Sequence, residues 1–418
     1  MGERKKAGPS MALVFLALVL TLTIQFGFSA ANHHHNSKKT PTQSPSNRFN
    51  SLVFPVQGDV YPNGYFYTTM YMGNPPRPYY LDIDTGSNLT WVQCAAASSA
   101  KLLKAPHNPY KPNNNVLYCK DPICASVDQP KDYPCKSPDN QCDYEVHYAD
   151  HGSSLGVLVR DLFGLKLTNG SAIGIPLAFG CGYDQGFSGP SSPPYVDGVL
   201  GLASGKSSIV SQLNGFGLIR NVISHCFSRQ GKGFLVFGND LLPKKLEWVP
   251  MLPNSLNHYM VGPMDLQYGG KTHANGLYVV FDSGSTYTYL NSIPYQTTLS
   301  LITKGLSGKP LSVVQDGNLP VCWKGAKLFG SIDAVKHYFS PLSLSFGKGK
   351  NAAYVLPPEA YLLITSKGNV CLGILNGTEA NLGNLNVIGD ISMQEKWVVY
   401  DIERKMIGWA SHTCNKLS

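Results

Sequence analysis

Two short acidic motifs contain the residue types in this chain that could perform chemistry. The first is Asp84-Thr85-Gly86-Ser87, and the second is Asp282-Ser283-Gly284-Ser285. A carboxylate at the end of a strand points into a cleft, and the following glycine permits a tight turn that a Cβ would obstruct. The threonine and serine hydroxyl groups can hold the carboxylates by hydrogen bonds. Both motifs therefore indicate an acidic group that is oriented for reaction.

Each motif lies in the same sequence context. An apolar run precedes each aspartate, at residues 79–83 and 277–281, and predicts a strand that leads to it. At a similar distance downstream of each motif, two branched apolar residues are followed by glycine, as Val199-Leu200-Gly201 and Val387-Ile388-Gly389. Two such matches predict an internal repeat of about half the chain.

The repeat predicts that the two aspartates form a pair. If the halves pack about a pseudo-twofold axis, Asp84 and Asp282 meet, and two carboxylates about 3 Å apart share a proton. Such a pair titrates as a unit. Its ionised member takes a proton from a bound water while the protonated member donates to a carbonyl oxygen, which is general acid–base attack on an amide. This chemistry needs no cofactor.

Longer motifs around these residues indicate a family. The chain resembles the pepsin-type aspartic proteases and, among them, the nucellin- and nepenthesin-like enzymes of plants. The resemblance implies an all-β, bilobal pepsin-like fold, in which two related barrel-like β lobes enclose the active-site cleft. It extends over most of the chain and rests on Asp-Thr-Gly-Ser-Asn-Leu-Thr-Trp (84–91), Cys-Asp-Tyr-Glu-Val-His-Tyr-Ala-Asp (142–150), Phe-Gly-Cys-Gly (179–182), Asp-Ser-Gly-Ser-Thr-Tyr-Thr-Tyr (282–289) and Val-Ile-Gly-Asp (387–390).

The resemblance also implies an activity. It indicates an aspartic endopeptidase that hydrolyses polypeptide substrates through a water activated by Asp84 and Asp282. The shared proton of the pair predicts an acidic optimum. Catalysis by a nucleophilic residue or a metal is not expected, because the chain has no Gly-x-Ser-x-Gly motif and no zinc spacing of cysteines and histidines. Because the repeat supplies both aspartates, a monomer suffices for catalysis.

A β-hairpin is predicted over residues 144–161, where two alternating segments flank a Gly/Ser-rich turn. This hairpin matches the flap of the family, so that Tyr148 is the predicted flap tyrosine. The resemblance implies that Trp91 packs beside the flap and hydrogen-bonds this tyrosine. At the tip, Asp150 and His151 either bias the side-chain preference or are simply solvated.

Two other functions fit parts of the sequence. One is a binding protein on the same fold, similar to xylanase-inhibitor-like plant relatives that have lost the catalytic machinery. The fold alone does not separate it from an enzyme, but the intact motif at Asp282 disfavours it. The other is a different hydrolase chemistry, which is disfavoured because the aspartate pairs of glycosidases lack the duplicated Asp-Thr/Ser-Gly context.

The N-terminus predicts a protein of the secretory pathway, extracellular or vacuolar. Residues 1–31 have a charged start, an apolar core and small residues before Asn32, which is typical of a signal peptide; an uncleaved membrane anchor is the alternative. Residues 32–50 are polar and predict a disordered leader or short pro-segment. The formal net charge is +8, but the basic residues form no long block, so that nucleic acid is not an expected partner.

The ten cysteines suit five disulfides in an oxidising compartment. Their connectivity does not follow from the sequence. The resemblance implies a Cys322–Cys371 bridge and a Cys181–Cys414 bridge, and it leaves the pairing within the Cys-rich insertion at 94–142 open.

Two lobes are predicted. The N-terminal lobe spans residues 51–244 and contains the first motif, the insertion and the flap, and the C-terminal lobe spans residues 245–418. The sequons that begin at Asn169 and Asn376 look like glycosylated turns.

Overall fold

The computed structural model describes residues 50–95, 105–186, 196–317, 319–346 and 352–417. The predicted signal peptide and the predicted leader, apart from Asn50, lie outside these ranges. Arg48–Ser418 form one compact unit that contains both acidic motifs. Within the described ranges, no helix has the length and apolar character that a membrane crossing requires.

Short strands dominate the described chain, in keeping with its many glycines and prolines. In the first part of the chain they are β1 (Leu52–Asp59), β2 (Tyr65–Met72), β3 (Arg77–Asp84), β4 (Trp91–Gln93), β5 (Asp143–His147), β6 (Ser153–Lys166), β7 (Ala172–Gly186), β8 (Gly198–Gly201), β9 (Val222–Phe227), β10 (Lys232–Phe237) and β11 (Glu247–Pro250). In the second part they are β12 (Met260–Tyr268), β13 (Lys271–Phe281), β14 (Thr288–Leu290), β15 (Ser312–Asp316), β16 (Leu319–Lys324), β17 (Leu342–Phe346), β18 (Ala353–Leu356), β19 (Leu362–Ile364), β20 (Val370–Leu372), β21 (Ile374–Asn376), β22 (Asn386–Ile388), β23 (Lys396–Asp401) and β24 (Met406–Ser411). The α-helices are α1 (Ile209–Gly215), α2 (Ser292–Gly305) and α3 (Asp390–Met393).

The described strands form three sheets. The largest has thirteen strands in the order β11-β24-β23-β9-β10-β1-β2-β3-β8-β4-β7-β6-β5. The others have seven strands, β18-β17-β12-β13-β22-β14-β21, and four strands, β15-β16-β20-β19. Because β23 pairs with β9, the end of the chain returns to the first sheet. Sheet membership therefore departs from the predicted lobe limits, 51–244 and 245–418, at β11 and at the C-terminal strands β23 and β24.

The internal repeat appears in the way the strands pair. β3 runs parallel to β8, so that Asp84 lies opposite Gly201. β13 runs parallel to β22, so that Phe281, directly before the second aspartate, lies opposite Ile388. The strand that follows each motif, β4 or β14, then pairs antiparallel with β8 or β22. Both motifs thus lie at the end of a strand within the same local topology.

Side chains along β3 alternate between a face that is buried in the core and a face that carries acidic groups. Tyr79, Leu81 and Ile83 are buried in the large hydrophobic core. Since successive residues of a strand point to opposite faces, Tyr80 and Asp82 lie on the other face, together with Asp84. The strand is thus fixed by its apolar face and presents acidic side chains on the other.

The disulfides correct one predicted pairing. The predicted Cys181–Cys414 bridge is wrong. Cys181 on β7 lies beside β4, which Cys94 directly follows. Cys414 instead follows the strands that pair with β9, which contains Cys226. Cys322 and Cys371 are bonded, since they lie directly opposite each other in β16 and β20. The five bridges are Cys94–Cys181, Cys119–Cys135, Cys124–Cys142, Cys226–Cys414 and Cys322–Cys371.

Candidate active site

Asp84 is the last residue of β3, and its own motif holds its carboxyl group. The amides of Gly86 and Ser87 donate to Oδ1 at 2.7 and 3.2 Å, and the Ser87 hydroxyl donates to Oδ2. Only the turn after the strand brings these donors back to the aspartate. The side chain is 6% exposed, and the hydrogen bonds compensate for part of the lost hydration.

Asp282 directly follows β13 and is held in the same way. The Gly284 amide donates to its Oδ1 at 2.9 Å, and the Ser285 hydroxyl donates to its Oδ2 at 2.9 Å. In both motifs, therefore, the glycine amide and the last serine hydroxyl hold the aspartate, as expected for a duplicated structure.

Thr85 and Ser283 do not hold the carboxylates, contrary to the sequence-based expectation. The Thr85 amide donates to Ser283 Oγ at 3.1 Å, and the Ser283 amide donates to Thr85 Oγ1 at 2.9 Å. The Thr85 hydroxyl then donates to the Phe281 carbonyl at 3.1 Å, and the Ser283 hydroxyl to the Ile83 carbonyl at 2.7 Å. Both hydroxyl residues are at most 1% exposed. These four bonds fix the position of one motif against the other.

The glycine of each motif faces the aspartate of the other motif. A Cβ added at Gly86 would lie 2.6 Å from Oδ1 of Asp282, and one added at Gly284 would overlap the Asp84 carboxyl group. Glycine is therefore required by the approach of the opposite carboxyl group. It follows that the two carboxyl groups lie side by side between the motifs.

The two carboxyl groups behave as a pair that shares a proton. Burial, and next the charge of Asp282, raise the pKa of Asp84 to about 7. Burial also raises the pKa of Asp282, while hydrogen bonds from Ser285, the Gly284 amide and Asp84 act against that rise. Because the groups interact strongly, the raised pKa belongs to the pair. One proton is thus retained on it up to near-neutral pH.

The hairpin of β5 and β6 places Tyr148 near the dyad. Tyr148 directly follows β5, and its amide donates to the Gly152 carbonyl at 2.8 Å, which closes the turn. Trp91 Nε1 donates to the Tyr148 hydroxyl at 2.6 Å. Burial, and next the charge of Asp84, raise the pKa of Tyr148 well above its ordinary value, so that it remains a neutral hydroxyl.

The tip of this hairpin contacts the C-terminal half of the chain. Asn381 Nδ2 donates to His151 Nε2 at 3.2 Å. Asp150 accepts a hydrogen bond from the Gly152 amide at 2.8 Å, and its charge adds to the burial that raises the pKa of Tyr289 to about 12. Both tip residues are exposed, yet each is hydrogen-bonded to the protein.

Sequence reasoning misses two further acidic residues near the dyad. Asp82 lies two residues before Asp84 on the same face of β3. Asp390 is 1% exposed, and neither of its carboxyl oxygens has a hydrogen-bond partner among the described residues. Burial raises the pKa of both groups well above the ordinary value, and the neighbouring carboxyl groups add to the rise. An acidic residue inside an otherwise apolar strand is the signal that could have identified Asp82.

His258 is a third residue that the sequence does not single out. Burial lowers its pKa, while the charge of Asp84 and the Gly86 backbone act in the opposite direction. Its position near the first motif depends on how the second half of the chain packs, so that no local pattern could predict it.

The two predicted glycosylation sites differ in exposure. Asn169 is exposed in the turn between β6 and β7. Asn376 is the last residue of β21 and is 7% exposed, and its Nδ2 donates to Glu379 at 2.8 Å. The burial of Asn376 and the hydrogen bond of its Nδ2 disfavour the interpretation of this residue as a glycosylated turn.

We expect a glycan at Asn169 and none at Asn376 when the chain passes through a eukaryotic secretory pathway. Glycopeptide mass spectrometry of the secreted protein tests this. Asn169→Gln should abolish the mass shift on glycosidase treatment, and the matched variant Asn376→Gln should leave it unchanged. A glycan found at Asn376 contradicts the burial of that side chain.

Solved structures share this architecture. Basic 7S globulin from soybean superposes with a TM-score of 0.67 at 19% identity, over 89% of this chain and 100% of that one. The aspartic proteinase from Irpex lacteus superposes with a TM-score of 0.60 at 17% identity, over 88% of this chain and 98% of that one. The fold is therefore the all-β, bilobal pepsin-like fold, as the sequence predicted.

Among proteins with the pepsin-like fold, sequence comparison identifies the family of this chain. The chain matches the family models described as Xylanase inhibitor N-terminal, over residues 66–239, and Xylanase inhibitor C-terminal, over residues 261–411. It is 42% identical over 382 residues to an aspartic proteinase from Oryza sativa subsp. indica, which covers 88% of this chain and 92% of that protein. The chain therefore belongs to the pepsin-type aspartic proteinases of plants.

Proposed function

We propose that this chain is an aspartic endopeptidase whose catalytic residues are Asp84 and Asp282. The main observation in support of this proposal is the paired arrangement of the two carboxyl groups. Each group is held by its own motif, each faces the glycine of the other motif, and the pair retains one proton to near-neutral pH. The substrate is a polypeptide, as the name of the rice relative indicates for that protein.

The paired carboxyl groups can supply both parts of general acid–base catalysis. The ionised member takes a proton from a water bound between them, and the protonated member donates to the oxygen of the scissile carbonyl. Burial favours the protonated form of each group, and the amide and hydroxyl donors around it favour the ionised form. The balance between these effects leaves one proton on the pair.

Tyr148 and Trp91 are proposed to position the substrate. The hairpin brings the Tyr148 side chain near Asp84, and the Trp91 indole orients the tyrosine hydroxyl. An extended peptide would lie between this hairpin and the dyad. The hairpin would then exclude water from the reacting bond, which strengthens the electrostatic interactions there.

Activity should be greatest at acidic pH and should fall as the pH rises through about 7. The reason is that the dyad needs its shared proton, and the pKa of Asp84, raised to about 7, marks the loss of that proton. Cleavage of a denatured protein between pH 3 and pH 8 measures this, with and without a pepstatin-type transition-state analogue. A rate that keeps rising above neutral pH contradicts the proposed dyad.

Binding without catalysis is the competing function, since the matched family models are described as xylanase inhibitors. The intact dyad favours hydrolysis. Acid-side cleavage that the analogue blocks supports the enzyme. A folded, disulfide-intact sample that cleaves nothing at any pH, even after removal of residues 32–50, favours the binding protein.

We further propose that the protein acts as a secreted or vacuolar monomer. Its five disulfides suit an oxidising compartment. A single chain supplies both aspartates, so that a second copy is not required for the reaction.

A further inference from the structure

Asp82 lies on the cleft face of β3, two residues before the catalytic residue Asp84. Tyr80, Asp82 and Asp84 share a face of the strand, because alternate residues point the same way. Two residues of a strand advance by about 6.6 Å, which is within the length of one long substrate side chain. A substrate residue next to the scissile bond can therefore reach Asp82.

The residues that flank Asp82 across the sheet are uncharged. Tyr67 on β2 lies opposite Asp82 on one side, and Val199 on β8 lies opposite on the other. The Tyr67 hydroxyl donates to Gln57 Oε1 at 3.0 Å, so that its proton is already used. Val199 packs against the same hydrophobic cluster as Tyr148. The cross-strand neighbours of Asp82 are thus one aromatic and one apolar side chain, and neither of them neutralises its charge.

The hydrogen-bonding capacity of the Asp82 carboxyl group is only partly used: the Ile83 backbone hydrogen-bonds to it, but its Oδ1 has no partner among the residues that the structure describes. Its Oδ1 is buried and unbonded, although the side chain as a whole is partly exposed. The charged groups that act on it are Asp84 and Asp282, which repel its negative charge. Asp390 adds a further acidic group to the same neighbourhood. A carboxylate in such a place is unfavourable until a cation pairs with it.

We propose that Asp82 selects substrates that carry lysine or arginine at a position flanking the scissile bond. The cationic group would form a charge-assisted hydrogen bond with the Asp82 carboxylate. Its aliphatic stem would lie along Val199 and the Tyr67 ring, as long basic side chains do on apolar surface. This inference rests on the proposed dyad, because the dyad places the scissile bond.

Matched peptides test the selection directly. The full chain is assayed on two series of peptides that carry lysine, norleucine or glutamate, either just before or just after the scissile bond. Norleucine keeps the length of lysine without its charge. In one of the two series, we expect kcat/KM for lysine to exceed that for norleucine by at least about tenfold, the ratio that about 1.4 kcal/mol gives. Equal values for lysine and norleucine in both series overturn the proposal.

Three variants assign the preference to this carboxylate. Asp82→Asn keeps the shape and should reduce the lysine-to-norleucine ratio to about one. Asp82→Glu keeps the charge and should retain a preference for lysine. Asp265→Asn removes a partly exposed carboxylate of β12 and is the matched control, which should keep the wild-type ratio. A lysine preference that survives in Asp82→Asn assigns the selection to another group and overturns the proposal.

Failure of this inference and failure of the dyad give different results. Equal cleavage of lysine and norleucine peptides removes the role of Asp82 and leaves the dyad in place. If no peptide is cleaved, the dyad proposal fails. The affinities of uncleavable lysine and norleucine analogues for the wild type and Asp82→Asn, measured by calorimetry, then decide the role of Asp82 in the same way.

Discussion

Asp84→Asn should lower kcat/KM for a peptide substrate by about 10⁴-fold, the upper end of what one positioned acid–base group contributes, without disturbing the fold. The amide cannot accept a proton from water, and it cannot share one with Asp282. Its oxygen can still accept the hydrogen bonds that Gly86 and Ser87 give to the carboxylate. The substitution therefore removes the chemistry while most of the local structure remains.

The same substitution should stabilise the folded protein at pH 7 more than at pH 4. The pKa of Asp84 is raised from 3.8 to about 7 on folding, so that the native state binds more protons than the unfolded state between these values. This proton therefore contributes its full stabilisation below pH 3.8, and the stabilisation is lost as the pH rises through about 7. Asparagine does not titrate, and this loss is therefore absent in the variant.

Steady-state kinetics and thermal unfolding at pH 4 and pH 7 measure both effects. Asp265→Asn, which removes a partly exposed carboxylate of β12 outside both motifs, is the control and should match the wild type in rate and in pH dependence. Asp282→Asn should repeat the result of Asp84→Asn because the pair acts as a unit. Retained hydrolysis in either dyad variant rules out the proposed mechanism.

The parts of the site that could be predicted from the sequence are local. In Asp84-Thr85-Gly86-Ser87, the glycine and serine lie two and three residues after the aspartate that they bond, so that the turn alone brings them together. The hairpin that carries Tyr148 is also a short-range structure.

The parts that could not be predicted depend on which distant segments become neighbours. Thr85 directly follows Asp84 in sequence, but its hydroxyl donates to the Phe281 carbonyl. This bond forms only because the second motif packs against the first. Likewise, the partner of Cys181 depends on β4 being the neighbour of β7. Asp82 differs from both cases, because its placement on the cleft face follows from simple alternation along β3. That its Oδ1 lacks a hydrogen-bond partner, however, can be known only from the residues on the neighbouring strands.

Replacing both Cys226 and Cys414 with alanine should lower the free energy of unfolding by about 5 kcal/mol, according to the chain-entropy estimate for a long closed loop. The two cysteines are 188 residues apart in sequence, so that the bridge strongly restricts the unfolded chain. In the folded state both are 0% exposed, and alanine avoids burying a new polar group there. The bridge also ties the C-terminal tail to β9, next to β23 in the first sheet.

Denaturant unfolding of the double variant measures this loss, and the bridge between Cys119 and Cys135 provides the matched comparison. That bridge spans 16 residues, so that its removal should cost about 3 kcal/mol by the same estimate. A larger loss from the short loop than from the long one would contradict the entropic account. Peptide mapping of the unreduced protein tests the pairing itself, because a fragment joining Cys181 to Cys414 is incompatible with the neighbouring strands β4 and β7. The bridge that closes 188 residues is therefore expected to contribute more to stability than the bridge that closes 16 residues.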